Sequence, residues 1–285
     1  MLVVIGLTVV AHEVGLARLA RHSRASRVRW RRRRSVAFYA GLGVLALTIS
    51  SPLDYWASQY FFVHMVEHLL ISFAFPVLVV AGAPWVPLLF ALPVGPRRSI
   101  GRFLFLSPRA GVLRAAGRVV RRPTVALVAF NVVMVAWHIP ALFTFSERHA
   151  WAHVWLMHTS FIVTGVLFWL QIFPSRPMTP ARGPVWRVGA IALTNVVMTV
   201  LAISMSVLTS VSWYPTYSHL AGVTLSPFAD QQIGAAILWV CGDFWALPAV
   251  YLIIHQALQR EPGSFTGVIE RVIRSRSERD PLSLR

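Results

Sequence analysis

The sequence lacks lysine altogether, and it contains one cysteine, Cys241, and ten acidic residues among its 285 residues. A single cysteine excludes an internal disulfide and a CxxC motif for copper or redox chemistry. Charged residues make up 13% of the chain, whereas soluble globular domains carry about 25%. This scarcity of charge excludes an ordinary soluble domain, and any soft-metal chemistry must rest on histidine and methionine.

Apolar residues dominate the composition of the chain. Hydrophobic residues make up 56% of the chain, with 11 Trp and 17 Phe, which a disordered basic chain would lack. A helix needs about 20 apolar residues to cross a bilayer. The sequence therefore predicts an all-α fold, a polytopic membrane helical bundle. Seven transmembrane helices are expected near residues 1–17, 36–51, 60–81, 123–141, 152–173, 188–212 and 231–256.

The placement of arginine predicts the orientation of this bundle. Of the 27 basic residues, all arginine, only Arg148 lies outside the segments 18–34, 97–122, 176–187 and 260–285. These segments all lie on one side of the membrane if residues 83–96 do not cross it. That stretch is short, and four prolines interrupt it. The positive-inside rule then places the N-terminus outside and the C-terminus in the cytoplasm.

The same pattern suggests a division of the chain into a seven-helix membrane domain, residues 1–258, and a basic cytoplasmic tail, residues 259–285. Each arginine run adjoins a predicted span on the cytoplasmic side. We therefore expect these runs to contact anionic membrane lipids, and we expect no nucleic acid partner.

Histidines near the outer ends of the predicted helices are the candidate functional residues, because polar groups in a bilayer are costly. His64 and His68 are four residues apart at the start of the third span, so they share a helix face beside Met65. Two such imidazoles can ligate a metal, although interhelical hydrogen bonding explains the pair equally well.

Further candidates come from three other helices. His138 lies at the end of the fourth span, and Asp230 begins the seventh, where it is also a good helix N-cap. His153 and His158 open the fifth span. On an ideal α-helix these two side chains point about 140° apart, so we expect that they do not both face one ligand.

Together these residues predict a metal site in the outer half of the bundle. Histidine and methionine without thiolate suit copper, while imidazole with carboxylate would also suit zinc or nickel. Two alternatives stay open: a bis-histidine haem, for example between His68 and His158, in an electron-transfer protein, and a metal-free scaffold whose histidines join helices. A hydrolase is not expected, since HMVEH at 64–68 is not the HExxH motif.

Five segments, in order along the chain, resemble the multi-span CtaG-type cytochrome c oxidase assembly factors. They are SPLDYWA at 51–57, HMVEHLLI at 64–71, WHIPALF at 137–143, HVWLMHTSFIVTGVLFW at 153–169 and DQQIGAAILW at 230–239, and the likeness covers most of residues 36–256.

The resemblance implies a non-enzymatic protein of the bacterial plasma membrane that assists the assembly of haem-copper oxidase by delivering copper to oxidase subunits. A soluble extracytoplasmic copper donor is a further expected partner. By motif position, the resemblance implies a metal-handling set made up of His64, His68, His138, His153, His158 and Asp230.

Overall fold

The computed structural model describes residues 1–21, 25–50, 52–217 and 225–260. Helices make up this part of the chain, and no β-strand occurs within it. From residue 261 onward, the predicted basic tail lies outside the described residues. The α-helices are α1 Leu2–Ala20, α2 Ala25–Ser50, α3 Pro52–Ala57, α4 Phe61–Leu69, α5 Phe75–Gly82, α6 Trp85–Ala91, α7 Val94–Leu106, α8 Gly111–Val120, α9 Pro123–Ala136, α10 Pro140–Arg148, α11 Ala150–Ala152, α12 Thr159–Ile172, α13 Pro184–Ser206 and α14 Pro227–Arg260.

Two pairs of consecutive α-helices are joined end to end by a π-helical turn. Leu70–Ala74 joins α4 to α5, and His153–His158 joins α11 to α12. Each pair of α-helices therefore forms one continuous rod, Phe61–Gly82 and Ala150–Ile172. A π-turn bonds residue i to residue i+5, so it accommodates one more residue than an α-turn and is frequent at functional sites.

Five helical rods are long and apolar enough to cross a membrane, against the seven predicted. A sixth is obtained if α9 is counted with the preceding helix, to which it is bent by 76°. Alone, α9 has 14 residues, or about 21 Å, short of a hydrocarbon core of about 30 Å. The predicted span at 36–51 is part of α2, whose other half is rich in arginine. Residues 83–96 form α6 and the start of α7, and neither is among the spanning helices.

The centre of the bundle is built around α4, which packs against α14, while α12 packs against α5 and α9. Glycine permits the closest of these approaches. A Cβ at Gly234 of α14 would lie 2.7 Å from the Phe61 ring, and one at Gly165 of α12 would lie 2.8 Å from the carbonyl oxygen of Ser72. Small residues at such crossings let membrane helices pack closely, and here they bring α14 against α4 and α12 against the π-helical turn Leu70–Ala74 and α5.

A buried aromatic cluster closes the bundle near the start of α4. Phe61 stacks on Tyr214 at a centroid distance of 4.4 Å, and Phe143 of α10 lies 4.4 Å from the same tyrosine. The buried Gln231 of α14 accepts a hydrogen bond from the backbone N–H of Trp213 (2.6 Å) and donates one to the carbonyl of Met205 (2.7 Å). These bonds hold the segment after α13 against α14, which packs on α4.

Candidate metal centre

Four imidazole rings meet inside the bundle, two from α4 and two from the π-turn before α12. Neighbouring rings have centroid distances of 4.1 Å for His64–His68, 4.4 Å for His153–His158, 5.1 Å for His64–His153 and 5.7 Å for His68–His158. They form a closed cycle, called here the four-histidine centre. The sequence pattern placed these residues at similar depth, and the structure brings them into contact.

The π-turn explains why both histidines of the fifth predicted span reach this centre. An ideal α-helix would direct His153 and His158 about 140° apart, and the expectation that they cannot share a ligand is wrong here. The turn His153–His158 is π-helical, so residues five apart, rather than four apart, lie above one another. Nothing in the composition of the segment HVWLMH signals this departure.

Most nitrogen atoms of the four-histidine centre have no hydrogen-bond partner among the described residues. Buried and unpartnered are Nε2 of His64, both nitrogens of His68, Nε2 of His153 and both nitrogens of His158. Buried polar atoms without partners are costly and rare. A bound cation would lower this cost, because a neutral imidazole offers one lone pair to a metal.

Glu147 of α10 lies beside the rings of His64 and His153 and faces the Nδ1 atom of each. Its Oε1 atom is 3.5 Å from Nδ1 of His153 and 3.8 Å from Nδ1 of His64. Burial raises the pKa of Glu147 to about 7. A carboxylate facing Nδ1 favours the tautomer with the proton there, which leaves Nε2 free to ligate. The sequence analysis missed this residue, and its only signal was a rare acidic residue at the end of an apolar bundle.

Tyr217 also faces Nδ1 of His64, with its hydroxyl oxygen 3.1 Å away. Burial, together with neighbouring carboxylates, raises the pKa of this phenol well above its ordinary value, so the hydroxyl stays neutral. When Nδ1 carries the proton, it donates to the Tyr217 oxygen, and the lone pair of His64 is at Nε2. Tyr217 and Glu147 therefore orient the same ring.

Glu67 adds a carboxylate on the opposite side of the centre. The residue is fully buried on α4. Its Oε1 atom lies 3.6 Å from Nε2 of His158, and neither oxygen has a hydrogen-bond partner among the described residues. These side chains form two sets, and within each set three ligand atoms all lie within 4.8 Å of one another. One set is His64, His68 and His153, and the other is Glu67, His153 and His158.

His138 lies beside the centre and belongs to neither ligand set. Its Nδ1 donates to the carbonyl of Met134 at 2.6 Å, and its Nε2 is 3.4 Å from the sulfur of Met65. The backbone carbonyl of His138 accepts a hydrogen bond from Tyr214 at 2.8 Å. These contacts tie the end of α9 to α4.

Asp230 likewise lies in neither ligand set within the described residues. One carboxylate oxygen accepts a hydrogen bond from the backbone N–H of Phe61 (2.8 Å), and the other accepts one from that of Phe62 (2.9 Å). The sequence suggested that Asp230 caps its own helix, whereas these bonds cap α4, more than 160 residues away in the chain. Asp230 therefore fixes the start of the helix that carries His64 and His68.

The fold and the centre define a polytopic helical membrane protein with buried imidazoles and carboxyl groups close enough to one another to hold a metal ion. Residues 11–260 match the family described as cytochrome c oxidase caa3 assembly factor (Caa3_CtaG). The chain belongs to this family, as its motifs suggested.

Three mycobacterial proteins, all described as uncharacterized, are similar to most of the chain. Those of Mycobacterium bovis and Mycobacterium tuberculosis are 27% identical over 255 residues, and that of Mycobacterium leprae is 28% identical over 260 residues. Each match covers 88% of this chain and 37% of the relative. The chain thus spans little more than a third of the length of these relatives. No solved structure matches it.

Proposed function

We propose that this protein holds copper as cargo in the four-histidine centre and passes it to subunits of a haem-copper cytochrome c oxidase in the bacterial plasma membrane. The observation that carries the proposal is the set of unpartnered imidazole nitrogens that converge from two helices. Neutral imidazoles without thiolate suit copper. The protein then acts as an assembly factor and catalyses no reaction.

The chemistry of the centre favours transient binding. A carrier must release its metal, so it needs few and exchangeable ligands. Three neutral imidazoles per ion, with His153 18% exposed, meet that need better than a closed site of four thiolates. A soluble copper donor outside the membrane and an oxidase subunit are the partners that such a carrier requires.

The proposal includes a seven-span topology with the N-terminus outside and the C-terminus in the cytoplasm. Added to the five long rods, α2 and α9 would complete the seven. This arrangement keeps the arginine-rich segments on the cytoplasmic side. It also places the start of α4, and with it the four-histidine centre, near the extracytoplasmic surface, where copper from a soluble donor would arrive.

Metal analysis of the purified protein tests the copper site. The double variant His68→Ala/His153→Ala should lose most of the bound copper, because it removes two members of one ligand set and one member of the other. A matched control is His149→Ala/His255→Ala, since both of these histidines are exposed and lie in neither ligand set. Equal copper contents in the two double variants would refute the proposed site.

Oxidase assembly provides the functional readout. A strain that carries the His68→Ala/His153→Ala variant should contain apo-oxidase with low activity, and the control variant should restore normal activity. The visible spectrum of the purified protein tests the haem alternative, which predicts a Soret band. A colourless protein with normal oxidase assembly by the double variant would instead support a metal-free scaffold.

A further inference from the structure

Glu67 is a carboxyl group whose position the proposed copper site does not by itself explain. It lies between His64 and His68 in the sequence and is fully buried. Both of its oxygens lack hydrogen-bond partners among the described residues. An unpaired carboxylate inside a membrane bundle is costly and calls for a cation or a proton.

The two ligand sets share one residue, His153. The first set, which contains His64 and His68, consists of three imidazoles. The second set joins His153 to Glu67 and His158, so it has two imidazoles and one carboxylate. On α4, Glu67 lies between His64 and His68, and His158 lies five residues beyond His153 on the rod Ala150–Ile172. The two sets therefore define neighbouring positions that overlap at His153.

We propose that the centre contains two alternative cation positions that share His153, and that a single copper ion moves between them. This inference rests on the proposed copper-carrying function. Two cations held a few ångströms apart in a medium of low dielectric would repel strongly, and the shared neutral His153 offers a lone pair to only one ion at a time. Simultaneous occupancy is therefore disfavoured, whereas alternation is not.

The movement is a ligand exchange without a change of oxidation state. The bonds from the ion to His64 and His68 break, and bonds to a Glu67 oxygen and a His158 nitrogen form. The bond to His153 persists throughout. Any proton held by the Glu67 carboxyl is displaced as the ion arrives, as is usual when a metal binds, and it passes to the nitrogen of His64 or His68 that the ion has left.

The shared ligand gives the ion a route with no step through bare hydrocarbon. The first position is bordered by Glu147, whose side chain is 12% exposed, and the second is bordered by fully buried Glu67. We therefore assign the first position to arrival from the surface and the second to retention until a partner docks.

A double-variant cycle with Cu(I) as the probe separates two positions from one. We compare His64→Ala, Glu67→Gln, the double variant and His153→Ala in the full chain purified in detergent, with affinity measured against a chromophoric Cu(I) chelator. Each of the first two variants leaves one position intact, so each should weaken binding by less than about tenfold. The double variant should weaken it by more than about 100-fold, well beyond the sum of the two free-energy changes.

His153→Ala disrupts both positions, so it should match the double variant. Size-exclusion chromatography shows which variants keep the fold, and His158→Ala replaces Glu67→Gln if the latter aggregates. X-ray absorption, through the multiple scattering of imidazole rings, should show two imidazoles around copper in His64→Ala and three in Glu67→Gln. Additive effects in the cycle would overturn the two-position proposal, whereas a wild-type protein that binds no copper would overturn the proposed function itself.

Discussion

Replacing Glu147 with glutamine tests how the centre holds its cargo. The substitution keeps the size of the side chain and removes a negative charge that faces Nδ1 of both His64 and His153, at 3.8 and 3.5 Å. A metal on Nε2 lies about 4 Å from Nδ1 across the ring, given a metal–nitrogen bond of about 2 Å. The carboxylate is then about 7 Å from the metal ion.

This distance sets the size of the expected effect. At an effective dielectric constant of about 20, a unit charge pair about 7 Å apart interacts by about 2 kcal/mol. That energy corresponds to about 30-fold in affinity, within the range of about 10- to 100-fold found when residues that orient metal-bound histidines are replaced. Glu147→Gln should therefore bind Cu(I) about 30-fold more weakly than the wild type.

The assay is a competition titration with a chromophoric chelator at about pH 8, one unit above the Glu147 pKa of about 7, so that the carboxyl group is mostly ionised. Glu13→Gln is the control, because Glu13 of α1 is exposed and accepts a hydrogen bond from Tyr39, outside the centre. If Glu147→Gln and Glu13→Gln bind copper equally well, the orienting role of Glu147 is refuted.

Three further substitutions test the residues that position and pack the helices around the four-histidine centre. Asp230→Ala should lower the melting temperature and destabilise the protein by about 1–2 kcal/mol, the usual cost of a lost cap; copper loss at an unchanged melting temperature would instead indicate a ligand. Gly165→Ala, whose Cβ would lie 2.8 Å from a backbone oxygen, should cost about 1–3 kcal/mol, while Gly189→Ala, which meets nothing within 4 Å, should not destabilise; equal melting curves would contradict this packing. His138→Ala should reduce thermal stability and leave Cu(I) affinity within about threefold; a loss as large as that of His153→Ala would place His138 among the ligands.

The sequence contains enough information to predict the helices and the approximate depth of the histidines. Long apolar runs produced α1, α13 and α14 close to the expected positions. The count of spans was harder to predict, because hydropathy does not show where a helix stops. Proline at position 140 and the turn after Ala136 end α9 early, so the apolar run of residues 123–141 is longer than the helix.

Side-chain direction is the part of the candidate site that the sequence could not supply. His64 and His68 were placed correctly on one face because α4 is a regular α-helix. Asp230 was assigned to the wrong helix as a cap, since its bonds to Phe61 and Phe62 depend on how α14 crosses α4. Such long-range contacts leave no periodic trace in one sequence.

The π-turn makes this limitation testable by deletion. Deleting Leu156, which is 44% exposed, should convert His153–His158 to an α-turn in which the two histidines are four residues apart and still share a face. Deleting Val163, which is 50% exposed but lies in regular α-helix, should rotate one part of the helix by about 100° against the other.

The two deletions are matched in the exposure and apolar character of the lost side chain, so they differ mainly in helical register. The Leu156 deletion should keep the size-exclusion profile and bind copper as the wild type does, because the residues on both sides of the π-turn retain their faces. The Val163 deletion should lose both properties, since it turns His153 and His158 away from α4. Loss of copper from both deletions would mean that the π-turn does not act as a one-residue insertion. Some other feature would then have to explain why His153 and His158 both face α4.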